Sequence, residues 1–131
     1  MKIGYLIWKI NLRINNKLAS IITIEELNNK IKDKLSNHIL IDVREKEELE
    51  FGMIPTAINV PLDEVGIALS DSGKFNKNSE IIFYCRTGSR SAMATETAVR
   101  LGFTNTKNFK GSIWEWSEID SNVKRYGPPP Y

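Results

Sequence analysis

Cys85 is the only cysteine in the chain, and Arg86-Thr87-Gly88-Ser89-Arg90-Ser91 follows it. It closes Ile81-Ile82-Phe83-Tyr84, an apolar run of strand-favouring residues. Ser91 to Leu101 favours a helix, and Gly102 suits its end. The spacing predicts a strand, a tight loop and a helix start, with a thiol at the mouth of the loop. A helix start has unpaired backbone N–H groups and partial positive charge. Gly88 permits a loop conformation that aims several N–H groups at one spot. Arg86 and Arg90 add formal charge. A thiol so placed ionises with a pKa of about 3.5–7.5. The thiolate is the nucleophile, and the same cradle attracts an anionic substrate. The competing reading is a small buried hydrophobe. The Arg-x-Gly-x-Arg that follows weighs against it, because a core cysteine needs no cationic loop.

The rest of the chain reads as the elements that hold this loop. Ser20-Ile21-Ile22 predicts a first strand. Thr23 with Glu26 fits a capping box, and Ile24, Leu27, Ile31 and Leu35 give the helix after it an apolar stripe. Ile39-Leu40-Ile41 suits a strand buried on both faces. Asp42 and Arg44 stand at its carboxyl end, where sites gather in open α/β sheets. They either approach the cysteine loop or form a structural network, with Arg44 pairing to Asp42 or to Glu45, Glu47, Glu48 and Glu50; the structural role is favoured. Ile58 to Val60 predicts a third strand, and Pro61 opens a helix that buries Leu62, Val65 and Leu69. Glu80 to Tyr84 is the fourth strand and Asn105 to Phe109 the fifth. Ser112 to Glu118 predicts a short helix in which one of Trp114 and Trp116 faces the core and the other the rim of the pocket. This alternation implies an α/β fold with a mostly parallel sheet.

A length of 131 residues with 41% hydrophobic content suits one domain with a real core. The net charge of +2 implies no nucleic-acid partner. One cysteine excludes an internal disulfide and a multi-cysteine metal site. His38 reads as a solvated loop residue, and neither a metal nor a cofactor is expected. No run is long enough to span a membrane. Residues 1–24 lack acids but include Lys2, Lys9, Arg13 and Lys17, with Ile3, Ile7, Ile10, Ile14 and Leu18 at helical spacing. Residues 1–19 therefore form a basic amphipathic extension. It is either a mitochondrial targeting segment or a packing element, so both the cytoplasm and the mitochondrion are open. Residues 20–125 form the domain. The proline-rich tail, 126–131, favours polyproline geometry and is expected to be a loose end or a ligand for an aromatic groove.

Cys85-Arg86-Thr87-Gly88-Ser89-Arg90 resembles the active-site loop of rhodanese-type sulfurtransferases. Ile39 to Glu45 resembles the family's strand followed by Asp-x-Arg. Gly52-Met53-Ile54-Pro55-Thr56-Ala57-Ile58-Asn59-Val60-Pro61 is similar to its Gly-His-Ile-Pro-Gly-Ala-x-Asn-x-Pro segment. Gly111-Ser112-Ile113-Trp114-Glu115-Trp116 resembles its Gly-Gly-x-x-x-Trp. Met53 replaces the usual histidine, and Thr56 a frequent glycine. The resemblance runs from about Ser20 to Trp116. It implies a rhodanese-like three-layer α/β/α fold around five strands. It also implies a sulfurtransferase in which Cys85 takes a sulfane sulfur from a small anionic donor such as thiosulfate. A persulfide on Cys85 would then pass the sulfur to cyanide, a thiol or a protein cysteine. Arg86, Thr87, Gly88, Ser89, Arg90 and Ser91 would bind the donor and stabilise the persulfide, with Asp42 and Arg44 as support nearby. Two alternatives share the scaffold. One is a non-catalytic binding or regulatory module. The other is a phosphatase or arsenate reductase, which uses Cys-x5-Arg; the position that would need arginine is here Ser91.

Overall fold

The structure is a computed structural model describing residues 19–71 and 73–130. Of the amphipathic extension expected over 1–19, residues 1–18 lie outside the described residues, and Ala19 belongs instead to the first strand. Five parallel strands form the sheet: β1 (Ala19–Ile21), β2 (Ile39–Asp42), β3 (Ile58–Asn59), β4 (Ile81–Tyr84) and β5 (Thr106–Asn108). Their order is β1-β5-β4-β2-β3. The sheet is wholly parallel, where the sequence suggested mostly parallel. β5 is shorter at both ends than the expected 105–109.

The connections explain the layers. Helix α1 (Ile24–Lys32) carries the chain from β1 across to β2. Helices α2 (Leu62–Ser70) and α3 (Ser89–Arg100) carry it back, from β3 to β4 and from β4 to β5. Crossovers of one hand travelling in opposite directions must cover opposite faces of the sheet. Two cores result. One joins Leu27, Leu40, Ile82, Tyr84, Phe109, Ile113 and Trp116. The other joins Ile41, Val65, Leu69, Ile81, Phe83, Cys85, Ala94 and Ala98. Along β4, Ile81 and Phe83 point to one core while Ile82 and Tyr84 point to the other, the two-residue period of a strand. All four are buried, which is why the run is apolar without alternation.

Local signals set the ends of the elements. Thr23 and Glu26 cap α1 reciprocally, as their spacing predicted. The helix stops at Lys32, so Leu35 is outside the apolar stripe assigned to it and is 88% exposed. A six-residue 3-10 helix, Lys46–Phe51, follows β2; the acid-rich sequence there did not announce it. The last helix, α4 (Ser112–Trp116), is shorter than expected, with Trp116 buried and Trp114 partly exposed, one on each side. His38 is not a fully solvated loop residue: its ring is bound by the hydroxyls of Ser36 at 2.8 Å and Thr56 at 3.0 Å.

Candidate active site

β4 is the middle strand of the sheet, and Cys85 leaves its carboxyl end beside β2 and β5. The chain must then turn at once into α3. Gly88 makes the turn with φ 107°, in the left-handed region. A Cβ on Gly88 would sit 2.3 Å from the Lys110 carbonyl oxygen, so the turn has no room for a side chain. Within this loop the Gly88 N–H donates to Cys85 Sγ at 3.1 Å. Ser91 Oγ stands 3.5 Å from Sγ and donates to the Gly88 carbonyl at 3.1 Å. Burial pushes the Cys85 thiol up, but hydrogen bonds from the Ser91 hydroxyl and the backbone of Ser91, Gly88 and Thr87 outweigh it. The net effect holds the thiol below its ordinary value. Donors converging on a buried sulfur favour the thiolate. Cys85 itself is 1% exposed, so the sulfur sits at the bottom of the loop.

The two arginines are not alike in their surroundings. Arg90 forms a two-point pair with Glu48, at 2.7 and 2.9 Å. Glu48 also accepts from the Tyr126 hydroxyl at 2.9 Å. Chiefly through Arg90, its carboxyl is held down to about 2. Arg90 is shifted up by Glu48 and, less strongly, by the negative charge of Cys85. Arg86 points to the C-terminal segment instead, donating from Nη1 to the carbonyls of Tyr126 (2.9 Å) and Pro128 (2.8 Å). Thr87 and Ser89 lie in the turn, Thr87 partly buried and Ser89 exposed at the first turn of α3.

Asp42 and Arg44 form a fully buried pair. The Asp42 carboxylate accepts the Arg44 backbone N–H at 2.9 Å and its guanidinium at 2.7–3.1 Å. Burial works against the Arg44 charge, yet the Asp42 bonds outweigh it and raise Arg44 above its ordinary value. Arg44 then reaches the carbonyls of Glu48 (3.3 Å) and Gly52 (2.8 Å) and the Tyr126 hydroxyl (3.1 Å). The pair thereby anchors the short helix carrying Glu48, which in turn holds Arg90.

Two contacts were not among the residues singled out for the site. Ser112 accepts the Cys85 backbone N–H at 3.1 Å with its hydroxyl, which donates to the Phe109 carbonyl at 2.9 Å. Ser112 adopts φ 54°, at a position where the resembled motif has glycine. The departure from the motif was the available signal. Tyr126 is the other: its ring stacks on Phe51 at 4.4 Å, and its hydroxyl lies between Arg44 and Glu48. Nothing local marks it, because its partners are about eighty positions away in the chain.

Residues 23–119 match the model of the rhodanese-like domain, and the chain belongs to that family. It is 43% identical over 103 residues to a rhodanese domain-containing protein of Drosophila melanogaster, covering 68% of this chain and 92% of the relative. It is 34% identical over 110 residues to the mitochondrial thiosulfate sulfurtransferase RDL2 of Saccharomyces cerevisiae, covering 76% and 74%. The crystal structure of that sulfurtransferase superposes with a TM-score of 0.70 at 30% identity, covering 82% of this chain and 96% of the other. The chain also matches yeast proteins named adenylyltransferase and sulfurtransferase, at 36% identity in Meyerozyma guilliermondii, and spans about a quarter of their length.

Proposed function

We propose that the chain is a sulfurtransferase whose nucleophile is Cys85. The observation carrying this reading is the buried thiol that receives the Gly88 N–H at 3.1 Å with Ser91 beside it. Relatives named thiosulfate sulfurtransferases support the choice of donor. The Cys85 thiolate attacks the outer sulfur of thiosulfate. A new S–S bond forms, the donor's S–S bond breaks, and sulfite leaves with the bonding pair. The terminal persulfide anion then lies among the loop N–H groups that hold the thiolate, so one set of donors serves both intermediates. A nucleophile, cyanide or a thiolate, attacks the outer sulfur, and Cys85 leaves as thiolate. No redox partner and no second cysteine in the chain are required.

Thr87 to Ser91 supply the cradle, Arg86 the uncompensated charge, Arg90 a cation paired with Glu48, and Asp42 and Arg44 the support. The loop has Ser91, not arginine, at the sixth position after Cys85, with its hydroxyl oxygen 3.5 Å from the sulfur. That arrangement suits a lone sulfur better than a tetrahedral phosphate. Beside the loop, an open groove of about 620 Å³ includes Thr87, Lys110 and Trp114 in its lining, room for a thiol acceptor to approach. The mitochondrial relative makes the mitochondrion the favoured compartment. Among the described residues no helix is long and apolar enough to cross a membrane.

Intact mass after incubation with thiosulfate tests the proposal. The parent should gain one sulfur, which cyanide releases as thiocyanate, and Cys85→Ser should gain none. No gain from any of several sulfane donors would sink it.

A further inference from the structure

The family match ends at residue 119, yet the chain beyond it is fastened to the site. Val123 joins the core, the Lys124 N–H donates to the Phe51 carbonyl at 2.8 Å, and Tyr126 stacks on Phe51 with planes 13° apart. The tail is therefore packed through Tyr126, not loose from that point. Gly127, at φ 73°, then lies flat against Arg86; a Cβ there would be 3.1 Å from Nη1 and 3.2 Å from Cζ. The carbonyls on either side of it, from Tyr126 and Pro128, both accept from Nη1. The guanidinium lies 5.7 Å from the Trp114 ring and 5.8 Å from the Tyr126 ring.

This geometry has a chemical consequence. Nη1 has two N–H groups, and the two carbonyls use both. Among the described residues, Nε and Nη2 have no protein acceptor. Their N–H bonds form a planar edge that matches two oxygens of one anionic group. The carbonyls are neutral, so Arg86 keeps its full charge, whereas the charge of Arg90 is offset by Glu48.

We propose that Tyr126–Pro128 is a strap belonging to the donor site: it locks Arg86 by Nη1 and presents the Nε/Nη2 edge to a sulfonate-type oxyanion. Arg86 thereby becomes the residue that selects donors with two oxygens on the leaving group, and the strap is what positions it. The identity of the anion rests on the sulfurtransferase reading; the placement of the charge does not.

The test uses full-length protein, with Gly127→Val as the main variant and Gly127→Ala as the milder one. Each is checked for an unchanged melting transition. Valine cannot keep φ 73° against the guanidinium without displacing it. The first readout needs no turnover: the rate of Cys85 alkylation by anionic iodoacetate divided by that by neutral iodoacetamide, at low salt. Loss of one placed charge should lower this ratio about fivefold in Gly127→Val. The second is the KM for thiosulfate, which should rise several-fold more than kcat falls. In an Arg86→Gln background Gly127→Val should add nothing, since the strap acts through Arg86. An unchanged or raised ratio, or an effect that persists without Arg86, overturns the proposal. A lowered ratio in a protein whose parent accepts sulfur from no donor would sustain the strap and sink the sulfurtransferase reading instead.

Discussion

Arg90 and Glu48 meet in a two-point ion pair across 42 positions of sequence, so the second cation of the cysteine loop reaches the site already compensated. Glu48→Gln keeps the shape and removes the compensation. The Cys85 pocket would then feel one more positive charge. At low salt, alkylation by iodoacetate should speed up about three- to tenfold, and added salt should erase most of the gain. An unchanged rate would show that the charge of Arg90 does not reach the sulfur.

The same pair predicts a pH dependence of stability. The Glu48 carboxyl sits at about 2 in the fold, against an ordinary 4.5. Between these values the unfolded chain binds the proton and the folded chain does not. The stability contributed by Glu48 is therefore complete above about pH 4.5 and is lost as the pH falls toward 2. Because the pair is partly exposed, its contribution is about 1 kcal/mol. Denaturant titrations from pH 6 to pH 2.5 should show the parent losing its margin over Glu48→Gln. Parallel curves would refute the assignment.

Ser91 is the hydroxyl best placed to follow the charge on the sulfur. With the thiol neutral it donates to the Gly88 carbonyl at 3.1 Å; on ionisation it can rotate to Sγ, 3.5 Å away. Ser91→Ala should move the inflection of the Cys85 alkylation profile to higher pH. On the acid side of the inflection the rate should fall about tenfold, since a hydrogen bond to a charged group contributes about 1.5–3 kcal/mol. A profile identical to that of the parent would mean that the backbone N–H groups alone hold the thiolate.

What could be seen in the sequence, and what could not, follows from the range of each interaction. Gly88, the capping box at Thr23 and the division of labour between Trp114 and Trp116 are set by neighbours a few positions away, and local residue types announce them. The buried Asp42–Arg44 pair is two residues long and was legible as one of two readings. Glu48 was one of four acids in a short run, and only the fold selects it for Arg90. Arg86 read as a donor-binding cation, but the carbonyls of Tyr126 and Pro128 that hold its Nη1 are backbone atoms to which no sequence pattern points. Leu35 misled because its helical spacing continued beyond the point where α1 ends.

The Asp42–Arg44 pair should be the most sensitive charge cluster in the fold. Both side chains are fully buried. Asp42→Asn leaves the guanidinium of Arg44 in the interior without its counter-charge. Breaking one partner of a buried pair costs about 3–5 kcal/mol. Urea denaturation should show a loss of that size. Since Arg44 also holds the Glu48 and Gly52 carbonyls, the Arg90–Glu48 pair should loosen as well. A loss below about 1 kcal/mol, typical of a surface pair, would contradict the buried geometry.

Ser112 tests whether the second half of the site is built for the cysteine. Its hydroxyl is the acceptor for the Cys85 N–H, and its φ of 54° is uncommon for a residue with a side chain. Ser112→Ala retains the Cβ and hence the strain, so the comparison isolates the hydroxyl. The buried Cys85 N–H loses its partner, while the Phe109 carbonyl keeps the Ser112 N–H at 3.1 Å. One unsatisfied buried donor costs about 1–3 kcal/mol. Ser112→Gly loses the same hydroxyl but relieves about 1–2 kcal/mol of left-handed strain, so it should fall between the parent and Ser112→Ala. Hydrogen exchange at the Cys85 amide should accelerate in both variants. Alanine as stable as serine, with exchange unchanged, would show that the hydroxyl contributes nothing and that the site relies on the loop from Arg86 to Ser91 alone.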